Sequence, residues 1–133
     1  MKYLIDTNIC IYIMNKRPID VIKRFKKVNT GEIGISTVTI SELQYGVSKS
    51  QQRKKNQIRL DEFISPLIIL SYDNDAAKTY GDIRCNLEKT GQPIGPLDLL
   101  IAAHAMSQGL IIVTSNDKEF SRIKNLKVEN WAK

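Results

Sequence analysis

Short, continuously apolar runs alternate with long stretches of helical periodicity along this chain. Three of the runs span residues 3–5, 67–70 and 110–113, and residues 33–35 form a fourth that contains one glycine. Such runs are typical of strands that are buried on both faces, as in a parallel sheet. Two helical segments separate successive strands. The order β-α-α-β-α-α-β-α-α-β therefore predicts an α/β fold with a central parallel sheet flanked by helices.

The length of 133 residues suits one compact domain, which we expect to span residues 1–133. Helices are predicted at residues 38–50 and 51–64, and a short edge strand at residues 126–128. No apolar stretch is long enough to cross a bilayer, and the first residues enter a strand without a signal-peptide pattern. These features predict a cytoplasmic protein with no membrane partner.

The two cysteines and the single histidine do not form a recognisable zinc site. Cys10 and Cys85 lie in predicted helices at no metal-ligand spacing, and we expect reduced, mostly buried thiols. His104 follows two alanines in an apolar helix, which favours a histidine in the core or on a helix face. One histidine also leaves histidine general-base catalysis with a single candidate.

Acidic residues occupy positions where an α/β sheet places its ligands. Asp6 directly follows the first strand and Asp117 follows the strand at residues 110–113, so both belong near the carboxyl edge of the sheet. Glu42 lies early in an apolar helix, and Asp98 lies in the first turn of another. Helix capping or the helix dipole explains Asp6 and Asp98 individually. A shared site explains all four together.

Several carboxylates that converge on one crevice repel one another, and a divalent cation relieves that repulsion. Ligands that are all oxygen favour Mg²⁺, with Mn²⁺ as a substitute, over zinc. A metal held in this way lowers the pKa of a bound water and polarises a phosphoryl oxygen. The pattern predicts hydrolysis of a phosphodiester bond without a histidine.

The formal net charge of +6 is concentrated in two basic clusters on predicted helices. One of them includes Arg53, Lys54 and Lys55 at the start of the helix that follows Ser50. Such a cluster suits the phosphate backbone of a nucleic acid, or a partner chain. A solvated helix face explains it equally well, and the sequence leaves both interpretations open.

Four segments of the chain resemble motifs of the PIN-domain ribonucleases, and more closely those of VapC toxins from type II toxin-antitoxin systems. In chain order they are LIDTNICIY at residues 4–12, ISELQYGV at 40–47, GQPIGPLD at 91–98 and VTSNDKEF at 113–120. The resemblance covers essentially the whole chain. It implies a PIN-like fold.

The same resemblance assigns roles to individual residues. Asp6, Glu42 and Asp98 match the first three acids of the family's metal site. The fourth acid is expected at Asp117. The remaining matches are polar residues expected to orient ligands, water or substrate, namely Thr7, Asn8, Thr114, Asn116 and Glu119, of which Asn116 and Glu119 are also alternatives for the fourth position.

The function that the resemblance implies is a Mg²⁺-dependent endoribonuclease that forms a homodimer and is inhibited by a VapB-type antitoxin in a hetero-oligomer. The expected substrate is tRNA, with the anticodon stem-loop of initiator tRNA as the leading candidate. Two alternatives remain: a metal-dependent DNA nuclease, and a noncatalytic nucleic-acid-binding module of the same fold. The second would normally have lost acids that are present here.

Overall fold

The computed structural model describes residues 1–133. Its sheet has five strands: β1 (Tyr3–Ile5), β2 (Ile33–Ser36), β3 (Ile68–Leu70), β4 (Ile111–Val113) and β5 (Val128–Glu129). The spatial order is β3-β2-β1-β4-β5, and every pairing is parallel. β1 is therefore the central strand, and the predicted parallel α/β fold is confirmed. All carboxyl ends of the strands lie along one edge of the sheet.

Seven helices connect and follow the strands. They are α1 (Thr7–Asn15), α2 (Ile19–Lys27), α3 (Thr37–Lys49), α4 (Arg53–Ile64), α5 (Asn74–Lys89), α6 (Pro96–Ser107) and the short α7 (Asp117–Phe120), with a 3₁₀ turn at Thr30–Glu32. The helix predicted from residue 51 begins two residues later, because Gln52 has a ψ of 61°. The predicted edge strand is likewise shifted toward the C-terminus, because Val128 and Glu129 are the residues that pair with β4.

The two faces of the sheet carry separate cores, and the alternation of side chains along β1 divides its residues between them. Tyr3 and Ile5 belong to a cluster of 14 buried residues that includes Trp131. Leu4 belongs to a cluster of 12 with residues of α5 and α6. Both faces of the central strand are therefore covered, as the unbroken apolar run predicts. The run at residues 67–70 was predicted to be buried in the same way, and that prediction was wrong. It forms the edge strand β3, which pairs with β2 alone, and Ile69 is 54% exposed.

The two cysteines differ in their burial, and the single histidine lies in the core. Cys10 is buried as predicted, but Cys85 is exposed and that part of the prediction was wrong. The reason lies in α5, where Ile83 and Leu87 face the core and Cys85 lies between them on the outer side. His104 is fully buried and its Nδ1 lies 2.7 Å from Oγ of Ser36, which confirms a core histidine. None of the helices is long and apolar enough to span a membrane.

Candidate active site

Asp6 is a buried carboxylate at the end of the central strand. It caps α1 by accepting a hydrogen bond from the backbone N–H of Ile9 at 2.9 Å, and only 3% of the residue is exposed. Its pKa is raised from 3.8 to about 6, mainly by burial and further by the charges of Asp98 and Glu42, while Thr114 and Ile9 lower it through hydrogen bonds. No cationic side chain forms an ion pair with Asp6. It therefore caps a helix and also carries an uncompensated charge.

Glu42 reaches the same edge of the sheet from α3. Ser36, the last residue of β2, starts this helix by accepting a hydrogen bond from the N–H of Val38. One helical turn and a half later, Glu42 is half-buried, and its Oε1 accepts a hydrogen bond from Thr7 Oγ1 at 2.8 Å. Thr7 directly follows Asp6, so this bond brings the start of α1 against α3.

Asp98 and Glu119 form the other side of the site. Burial raises the pKa of Asp98 first, and the charges of Glu119 and Glu42 raise it further. Glu119 accepts hydrogen bonds from the N–H of Gly95 at 2.7 Å and from Nδ2 of Asn116 at 2.6 Å. Gly95 lies in the loop just before α6. This contact therefore joins α7 to the start of the helix that carries Asp98.

Asp117 points to different partners, although it lies only two residues before Glu119. Its Oδ2 is 3.0 Å from Nζ of Lys133, and its Oδ1 accepts a hydrogen bond from Nδ2 of Asn130 at 3.2 Å. These interactions lower the pKa of Asp117, with the hydrogen bond from Lys133 as the largest cause. The charges of Asp98 and Glu42 thus act on Asp6, and those of Glu119 and Glu42 act on Asp98. Asp117 instead forms an ion pair with Lys133.

Each of three acids in this group has one polar neighbour that holds it. Thr7 donates to Glu42 and Asn116 donates to Glu119, while Thr114 hydrogen bonds with Asp6. The backbone N–H of Asn116 in turn donates to Thr114 Oγ1 at 2.9 Å. Asn8, in contrast, is exposed and contacts none of the acids through a hydrogen bond. The polar residues predicted to orient ligands thus lie where they contact or approach the acids.

A groove of about 820 Å³ opens beside Glu42. It runs between α1, α3 and the start of α6, and its wall includes the exposed residues Ile11, Tyr45, Lys49 and Leu97 as well as Asn8. These four exposed residues were not predicted from the sequence. Two of them could have been noticed: Lys49 belongs to the same basic cluster of the sequence as Arg53, and Tyr45 follows Glu42 by three residues, a spacing that places both on one helix face.

The donor set of this site fits a hard divalent cation. Asp6, Glu42, Asp98 and Glu119 offer only oxygen, and burial of Asp6 without a cation leaves negative charge that a metal would neutralise. As the side chains are oriented, no group of three histidine, cysteine, aspartate or glutamate residues is arranged around one ion. Glu42 and Glu119 instead use their oxygens on Thr7, Gly95 and Asn116.

The predicted basic cluster lies outside this acidic group. Arg53, Lys54 and Lys55 are exposed in the first turn of α4 and form no ion pair. Arg53 and Lys54 border a pocket of about 230 Å³ with residues of α3. Glu42 does not line that pocket. The three basic side chains are therefore unpaired and do not contact the acids.

Comparison with known proteins gives matches that cover nearly the whole chain. A family model described as PIN domain matches residues 3–126. The chain is 45% identical over 132 residues to a tRNA(fMet)-specific endonuclease VapC from Shigella flexneri, with 99% of each chain covered. A DNA-bound VapBC structure from Salmonella typhimurium matches with a TM-score of 0.92 and 42% identity, covering 98% of both chains. VapBC2 from Rickettsia felis, bound to a promoter DNA fragment, matches with a TM-score of 0.89 and 46% identity over 98% of this chain and 99% of that chain.

Proposed function

Because the chain belongs to the PIN-domain family and, within it, to the VapC ribonucleases, we propose that it is the toxin of a type II toxin-antitoxin system and hydrolyses phosphodiester bonds in RNA. The observation that carries the proposal is the burial of the Asp6 carboxylate without a cationic partner. A buried carboxylate with a pKa raised to about 6 and no cationic partner is costly to a fold unless a ligand uses it.

The metal is Mg²⁺ in this proposal, with Mn²⁺ as a substitute. Asp6, Asp98 and Glu42 would hold it. For the fourth position the sequence predicts Asp117, whereas the geometry favours Glu119, because Asp117 would first have to leave Lys133. When bound, the ion supplies a water of lowered pKa and stabilises negative charge on the phosphate.

The polar residues around the acids hold them in place before substrate arrives. Thr7, Thr114 and Asn116 each fix one carboxylate, and Asn8 faces the groove where a phosphate would enter. Above a pH of about 6, Asp6 is ionised and ready to bind a cation. Coordination of the cation would redirect carboxylate oxygens of Glu42 or Glu119 from these hydrogen bonds, because no three acids surround one ion as they are oriented.

The relatives indicate the substrate and the partner in this proposal. The substrate is tRNA, and the initiator tRNA cut in its anticodon stem-loop is the leading candidate, since a relative is named tRNA(fMet)-specific. The partner is a VapB-type antitoxin, because related structures are VapBC complexes. Residues 1–133 act as one PIN domain, as a homodimer and in the cytoplasm. Arg53, Lys54 and Lys55 supply contacts to the RNA backbone or to the partner.

The decisive experiment is cleavage of a total tRNA pool by purified protein, in Mg²⁺ and in EDTA. Asp6→Asn, purified identically, controls for contaminating nuclease and keeps a side chain that is able to cap α1. Discrete fragments that require both metal and Asp6 support the proposal, and mapping their ends identifies the substrate.

Two other results would overturn it. Cleavage of single-stranded DNA in preference to RNA would identify a DNA nuclease. Nucleic-acid binding without cleavage of either, together with no measurable affinity for Mg²⁺, would identify a noncatalytic module.

A further inference from the structure

Tyr45 exposes an aromatic ring next to the acids. The residue is 66% exposed and lies on α3, one helical turn after Glu42. Both residues line the groove of about 820 Å³. Tyrosine usually covers its ring in a folded protein, so a ring that stands open on the wall of a candidate active site is available to a ligand.

The surroundings of the ring combine three kinds of contact. Nζ of Lys49 lies over the ring at 4.8 Å from its centroid, which places a positive charge beside the aromatic surface. Glu42 lies one turn away on the other side of Tyr45. Across the groove, Ile11 and Leu97 are 39% and 44% exposed and offer apolar surface. Flat aromatic, cationic and apolar groups in one groove suit a nucleotide, which has a flat base and a negative phosphate.

We propose that Tyr45 is a stacking platform for an unpaired base next to the scissile phosphate, with Lys49 attracting the adjoining backbone. This inference rests on the proposed function and names the form of its RNA substrate. A phosphate that reaches Glu42 brings its neighbouring nucleotides into this groove. A base inside a duplex is already stacked between its neighbours, so the ring selects a nucleotide from a loop or a single strand.

An antitoxin peptide is the other occupant that the apolar wall would accept. Lys49 favours RNA, because its ammonium group forms no ion pair in the structure and is free to attract a phosphate beside the ring. An apolar peptide would gain nothing from that charge. We therefore treat the peptide as an alternative outcome of the experiment.

The experiment compares Tyr45→Leu with Tyr45→Phe, which keeps the ring, and with Ile58→Ala, which changes a residue that is 58% exposed outside the groove. The substrate is a hairpin RNA that carries the cleavage site found in the tRNA pool. Loss of one stacked base predicts a KM about 5- to 150-fold higher for Tyr45→Leu. Tyr45→Phe and Ile58→Ala should stay within about twofold of wild type. All three should unfold at the wild-type temperature, because Tyr45 and Ile58 are exposed.

A second readout measures the contact directly. Asp6→Asn protein is mixed with the same hairpin carrying 2-aminopurine beside the cleavage site, and stacking should quench its fluorescence only when Tyr45 or Phe is present. An unchanged KM and equal quenching for Tyr45→Leu would overturn the inference and leave the ribonuclease proposal standing. Escape of Tyr45→Leu from antitoxin inhibition with an unchanged KM would assign the groove to the antitoxin. Absence of metal-dependent cleavage by the wild type would instead refute the function on which the inference rests.

Discussion

The acids grouped around Asp6 and the acids that pair with cations follow opposite rules. At the edge, Asp6 and Asp98 are partly or wholly buried near other carboxylates, and the pKa of each is raised. Asp117, Glu88 and Glu129 instead each have a cationic partner within 4 Å, and the pKa of Asp117 is lowered. The difference shows that an acid marks a site when its neighbours are other acids and water is excluded. The number of acids in a stretch of sequence does not mark it.

The largest effect is expected from Asp6→Asn. The substitution removes the charge at the centre of the acidic group, while the asparagine side chain can still accept the hydrogen bond from Ile9. Metal-dependent RNA cleavage should fall to background. The fold and antitoxin binding should be retained, as measured by circular dichroism and by co-purification. Wild-type cleavage in this variant would exclude Asp6 from the mechanism.

A matched pair of variants in the short helix α7 compares an acid near another acid with an acid paired to a cation. The two variants are Glu119→Gln and Asp117→Asn. Glu119 adds to the charge around Asp98, so its loss should weaken Mg²⁺ binding and lower cleavage by about 10- to 100-fold. Asp117 is neutralised by Lys133, and its loss should leave cleavage near wild type. Isothermal titration with Mg²⁺ and initial rates measure both effects. The reverse ranking would restore the sequence-based choice of Asp117.

A third prediction concerns the pH dependence of stability without metal. The pKa of Asp6 is about 6 in the folded chain and 3.8 in an ordinary environment, so the folded state holds the proton more tightly. Between about pH 4 and pH 6 the unfolded state therefore carries fewer protons, and the free energy of unfolding should fall as pH rises. The difference corresponds to at most about 3 kcal/mol.

Urea unfolding in EDTA across this range measures the effect. Asp6→Asn should show a flatter profile than wild type and greater stability at pH 7, because it carries no charge that burial penalises. Mg²⁺ should restore part of the wild-type stability at pH 7, since it binds the ionised carboxylates. A wild-type profile that rises between pH 4 and pH 6 would contradict the raised pKa of Asp6.

Most of the fold could be predicted because burial leaves a regular pattern in the chain. The apolar runs at 3–5 and 110–113 are covered on both faces, and their residue types alone indicate this. The errors occurred at the edges of the sheet and on one helix surface. The run at 67–70 is as apolar as the others, yet it forms the edge strand β3, where Ile69 is 54% exposed. β5 has two residues and takes its position from pairing with β4, and the exposure of Cys85 depends on which side of α5 meets the core.

The site was predicted less completely, for a physical reason. Asp6, Glu42 and Asp98 follow from the topology, because strand ends and helix starts meet at one edge of the sheet. The choice between Asp117 and Glu119 depends on a contact with Lys133, 16 residues further along the chain. No local pattern indicates such a contact. Tyr45 shares this difficulty, since exposure of a ring depends on what packs beside it.

The smallest effect is expected on RNA affinity when exposed basic residues are removed. Two triple variants that each remove three positive charges test it. The first variant changes Arg53, Lys54 and Lys55 together to alanine and should weaken RNA binding. Binding is measured in the Asp6→Asn background, which does not cleave the RNA. If all three contact phosphates, the slope of log affinity against log salt should flatten by about 2. The matched control changes Lys23, Lys26 and Lys27, which are equally exposed on α2. A common small loss in both variants would reflect net charge alone, whereas a flattened slope confined to the first would place RNA on α4. Equal slopes would leave the α4 cluster a solvated surface.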